Sequence, residues 1–203
     1  MGESPLWMPL CGQDWSQTAT GFLGMWVAMM AAMMAPSLAP VLWRLRRAAG
    51  ARCAVTAAGY LAVWTVIGAI VFAAGAAWAR LALEHPPLAR ALPWIGASAL
   101  VLAGALQFSH WKARQLRCWQ AACGAAPRDA AQAWRAGLRL GLNCARSSSG
   151  LTLAMLVLGM SHAPAMAGIT LAITAERLLP RGERAARLTG LALIATALLL
   201  PHT

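Results

Sequence analysis

Cysteines, a run of methionines and one acid at the edge of an apolar stretch are the residues of this chain that could do chemistry. The cysteines are Cys11, Cys53, Cys118, Cys123 and Cys144, and no two form a Cys-x-x-Cys pair. Cys118 and Cys123 are poorly spaced for two ligands on a straight helix, but a helix break between them would bring them together. His110 precedes them. With Cys144 these residues make a thiolate and imidazole set of the kind that suits Cu(I) or Zn(II). The competing reading is that a buried free cysteine behaves as a small hydrophobe.

Met25, Met29, Met30, Met33 and Met34 fall on one arc of a helix at about 100° per residue. A thioether is a soft ligand for Cu(I). No His or Cys shares that face, so core packing is the plainer reading. Ala28, Ala31, Ala32, Ala35 and Ala39 occupy the opposite arc, an expected surface for close helix contact.

Glu176 is the carboxylate that borders a span interior. An acid there is costly and marks either a buried ion pair or a proton or cation site. Arg177 points about 100° away from it on a helix, so the bases expected to pair with Glu176 come from other segments, Arg146 or Lys112. Gln107 and Asn143 are expected in the same polar layer, with Ser147 to Ser149 beside them. No phosphate-binding glycine loop, zinc-protease helix or nucleophile elbow occurs, so nothing here supports an enzyme.

The elements that must position these residues are membrane helices. Of the 203 residues 60% are hydrophobic and 11% charged, too little charge to cover a water-facing surface. Apolar runs give three clear spans, from about Thr18 to Trp43, Val55 to Trp78 and Trp94 to Trp111. Three shorter runs follow, Ser147 to Ser161, Ala163 to Ala175 and Leu188 to Leu200. They read as spans four to six, with a re-entrant pair in place of the last two as the alternative.

Charge sorts with this reading. The net charge is +11, and 15 of the 17 basic residues fall in the connections Arg44 to Arg52, Lys112 to Arg146 and Arg177 to Arg187. By the positive-inside rule those connections are cytoplasmic and both termini lie outside. The expected fold is therefore all-α: one polytopic transmembrane helical bundle over residues 1–203, of about six spans. Trp43, Trp78, Trp94 and Trp111 stand at span ends, where indoles favour the headgroup layer, while Trp26 and Trp64 fall inside spans and read as packing residues.

Residues 112–146 read as an amphipathic cytoplasmic loop within that domain, broken near Gly124 and Pro127. Its arginines suit the anionic lipid of the bilayer or a protein partner, and its membrane flanks argue against nucleic acid.

Several stretches together resemble a family of bacterial integral membrane proteins, domain of unknown function 2182, described as predicted metal-binding proteins. They are Met29 to Pro36, Gly59-Tyr60-Leu61 with Trp64, Gly104 to Ser109 followed by Lys112, Gly141-Leu142 ahead of Cys144, Gly159-Met160, and Glu176-Arg177 with Pro180 and Gly182. The resemblance implies handling of a soft metal, copper or zinc, in transport or delivery. It also shows departures. Ser147 and Ser148 stand where the family carries a cysteine pair, Gln115 replaces a cysteine, Cys118 comes one position early, and Arg177 replaces a lysine. The alternative reading is a non-catalytic scaffold that binds a partner or anionic lipid through the basic loop.

Overall fold

The computed structural model describes residues 14–121, 127–159, 162–179 and 182–199. Among these the chain is all-α, with seven helices: α1 Trp15–Ala49, α2 Arg52–Glu84, α3 Pro86–Gln107, α4 His110–Ala121, α5 Ala130–Leu158, α6 Ala163–Leu178 and α7 Gly182–Leu199. Cys11 and Cys123 lie outside the described residues, as does the side chain of Cys118.

Local signals fix the ends. Gly50, at φ 56°, closes α1 by donating its N–H to the Arg46 carbonyl at 3.0 Å. Asp129 caps α5, its carboxylate accepting from the Gln132 N–H at 2.7 Å, while Gln132 Oε1 accepts from the Arg128 N–H at 3.0 Å. His162 starts α6 by accepting the Ala165 N–H on Nδ1 at 3.3 Å.

Two helices, α1 and α2, are each long and apolar enough to cross a membrane. At about 1.5 Å per residue, their 35 and 33 residues exceed a bilayer core of about 30 Å. A third candidate is a bent pair: the segments Arg90–Gln107 of α3 and His110–Arg117 of α4 meet at 62° across a short break and pass the same test only together. The stretch 112–146 contains most of α4 and the first half of α5, which runs without interruption from Ala130 to Leu158.

Helix α5 is the centre, packed on α2, α3, α4 and α6. Helix α1 packs on α2 and α6, and α7 on α3 and α6. The tightest seam is α2 against α5. A Cβ on Gly59 would come 2.7 Å from the Trp134 carbonyl oxygen, so the two backbones touch there.

The methionine arc of α1 faces this core: Met29, Met30, Met33 and Met34 are buried with Trp26 and Trp64. Trp26 donates its indole N–H to the Trp64 carbonyl at 3.0 Å. The alanine arc is turned outward instead, with Ala28, Ala32, Ala35 and Ala39 exposed, which corrects the expectation of a helix contact there. Methionine fills irregular gaps between helices better than alanine can. Val66, Ile70, Leu171, Leu188 and Leu198 also point outward, so the bundle is apolar on its outside as well as its inside.

Because the α2–α5 seam has no spare volume, Gly59→Val is expected to destabilise the protein by about 1–3 kcal/mol. Thermal unfolding in detergent, followed by circular dichroism, measures this.

Candidate functional site

Near the basic end of the bundle α3, α4, α5 and α6 enclose a polar layer with two arms. Both arms begin on α6, at adjacent residues. Glu176 is 2% exposed and Arg177 5% exposed. Successive helix positions diverge by about 100°, so the two side chains leave α6 in different directions.

In the first arm Glu176 Oε2 meets Lys112 Nζ at 2.7 Å, and Oε1 accepts from Gln107 Nε2 at 2.7 Å. Lys112, 3% exposed, also donates to the Ser147 carbonyl. The lysine reaches inward because the chain turns before it. Helix α3 ends at Gln107, and Ser109 then holds the turn, donating its hydroxyl to the Leu106 carbonyl at 2.7 Å and accepting the Lys112 N–H at 3.2 Å. Of the two bases that the sequence offers Glu176, Lys112 is the one paired with it, while Arg146 is exposed and Asn143 half-buried.

In the second arm the contacts of the Arg177 guanidinium include two sulfurs, two serine hydroxyls and a backbone carbonyl. Its Nη1 donates to Ser37 Oγ at 3.1 Å and lies 3.6 Å from Met34 Sδ. Its Nη2 lies 3.2 Å from Cys144 Sγ and also donates to the Cys144 carbonyl at 3.2 Å and to Ser147 Oγ at 2.9 Å. The Tyr60 hydroxyl is 3.0 Å from the same Cys144 sulfur. One guanidinium therefore spans the thiol of α5 and a thioether of α1. Ser147 joins the arms, with its carbonyl on Lys112 and its hydroxyl on Arg177.

Ser147 and Ser148 do not extend the sulfur set. Their hydroxyls donate back to the Cys144 carbonyl at 2.9 and 2.8 Å, the local back-bonding typical of serine inside a helix. His110 is exposed at the start of α4 and lines an outer cleft, away from the buried Cys144. Among the described residues no group of three or more His, Cys, Asp and Glu could hold a metal ion. Among the described members of the expected ligand set, Cys144 lies in the core, and its contacts Tyr60 and Arg177, with the Met34 and Ser37 that Arg177 also meets, were not in that set. Tyr60 is the lone tyrosine of the chain and falls inside an apolar run, and it belongs to one of the stretches that carry the family resemblance.

A family described as PpoB2, copper chaperone, matches residues 23–200, from within α1 to the end of α7. The chain belongs to that family. The match covers the residues of both arms. No curated protein and no solved structure matches the chain.

Removing one member of a buried pair strands the other. Glu176→Gln is expected to cost about 3–5 kcal/mol by leaving the Lys112 charge uncompensated. Adding Lys112→Met should recover most of that loss. Thermal melts of the two variants in detergent check both outcomes, and an unchanged Glu176→Gln melt would contradict the pairing.

Proposed function

We propose that the protein is a membrane-embedded copper chaperone that carries Cu(I), as cargo, on Cys144 and Met34. The observation that supports this most directly is that Cys144 Sγ and Met34 Sδ both lie against the Arg177 guanidinium, at 3.2 and 3.6 Å. A thiolate with a thioether is a donor set soft enough to favour Cu(I) over harder cations. Zinc prefers four closed ligands in a structural site, and the core offers no such group among the described residues.

The ionised thiolate is the metal-binding form of cysteine. Its negative charge would meet Arg177, and Tyr60 can donate a hydrogen bond to it. Arg177 occupies the space between the sulfurs, so it competes with the metal. A carrier must release what it binds, and a cation tethered beside the ligands favours release. Met30 and Met33, buried near Met34 on α1, continue the soft surface along the helix.

The membrane setting is part of the proposal. The apolar exterior and the two long helices support a bundle with six crossings, α5 to α7 forming the last three. The basic connections are then cytoplasmic and both ends of the chain outside, in a bacterial inner membrane. The resemblance to domain of unknown function 2182 fits the same role, with this chain a divergent member in which Ser147 and Ser148 replace a cysteine pair.

Competition titration of the purified protein with a Cu(I) chelator tests the reading. Cys144→Ser is expected to abolish tight binding. Met34→Leu is expected to weaken it about tenfold, equivalent to about 1.4 kcal/mol. Wild-type affinity in Cys144→Ser would sink the assignment.

A further inference from the structure

A cleft of about 190 Å³ opens on the basic end of the molecule where α3, α4 and α7 meet. It is separate from the sulfur arm. Lys112 and Gln107 line it, and both are already committed to Glu176. Its remaining ionisable side chains are exposed: Arg117 and His110 from α4, Glu183 and Arg187 from α7.

The charge of these groups favours an anion. The buried Lys112–Glu176 pair is neutral as a unit. Arg117 and Arg187 then outnumber Glu183. The Arg117–Glu183 contact is long, 3.9 Å, with side chains 71% and 50% exposed, so it holds the arginine only weakly. Arginine presents a planar fork that matches phosphate oxygens. At this volume the cleft is smaller than a pocket for a drug-sized ligand and suits a headgroup rather than a peptide.

The surroundings favour an anchored ligand. Phe108 and Trp111 are 44% and 42% exposed on either side of the helix break, and Leu188 and Leu191 are exposed on α7 beside Arg187. Aromatic residues of this kind belong at the headgroup level. A phosphate held in the cleft would leave its acyl chains along an apolar wall.

We propose that the cleft between α3, α4 and α7 binds a net-anionic phosphate between Arg117 and Arg187. The group can be the headgroup of an acidic phospholipid or a soluble phosphate ester, and the two sources share the recognition chemistry. Binding replaces the weak Glu183 contact on Arg117 and ties α4 to α7 above the Lys112–Glu176 pair. The site does not depend on the copper reading, because neither arginine touches Cys144 or Met34.

Native mass spectrometry of the full chain in a neutral detergent tests this, with titrations of phosphatidylglycerol, phosphatidylcholine and glycerol 3-phosphate. The expected result is one phosphatidylglycerol bound at least about tenfold more tightly than phosphatidylcholine. Arg117→Gln with Arg187→Gln should erase that preference, and Glu183→Gln should increase it. Arg44→Gln with Arg47→Gln, at the exposed end of α1, should leave it unchanged. Competition by glycerol 3-phosphate over the same concentration range would identify a soluble ester as the ligand, and its failure to compete would identify the lipid. No preference in the parent, or a preference that survives the cleft substitutions, would overturn the proposal.

Discussion

Three formal charges buried in an apolar bundle govern the rest of this structure. Lys112, Glu176 and Arg177 are each at most 5% exposed. A buried charge is tolerated only with close, well-oriented partners. Glu176 satisfies this with a lysine and a glutamine. Arg177 satisfies it with serine hydroxyls, a backbone carbonyl and two sulfurs. The second solution has the chemical consequence. The Arg177 contacts include a thiol and a thioether, which are soft donors of the kind that copper favours.

The fold brings these groups together from six helices, α1 to α6. The break after Gln107 turns Lys112 inward. The glycine seam between α2 and α5 lets Tyr60 approach Cys144 closely enough for a 3.0 Å contact. The methionine face of α1 packs inward and brings Met34 to the guanidinium. Ser147 couples the arms, so a movement of Arg177 is felt at the carbonyl that Lys112 holds. In the proposed carrier, cargo binding at Cys144 would be linked to the ion pair through Ser147.

Much of the framework was legible in the sequence. The apolar runs located α1 and α2 within a few residues, because length and hydropathy are averaged signals. The cost of placing an acid beside an apolar run singled out Glu176, with Arg146 and Lys112 as its candidate partners, and the structure pairs it with Lys112. The second arm was legible only on α5, at Cys144 and Ser147. Arg177 reads as a loop arginine beside an acid, and nothing in its own neighbourhood shows that α6 carries it past α5 toward α1. Met34 was one of five methionines on an arc, and only tertiary packing distinguishes it. Helix α4 was legible as amphipathic, but its angle to α3 depends on the Ser109 turn, a detail that hydropathy does not encode.

On the proposal above, copper sits on the α1 thioether and the α5 thiolate together. X-ray absorption at the copper edge of the Cu(I)-loaded protein, prepared with selenomethionine in place of methionine, tests this directly. The account predicts one copper with both a sulfur and a selenium neighbour, and loss of the selenium neighbour in Met34→Leu. A shell of nitrogen and oxygen alone, or a selenium neighbour that persists without Met34, would contradict it.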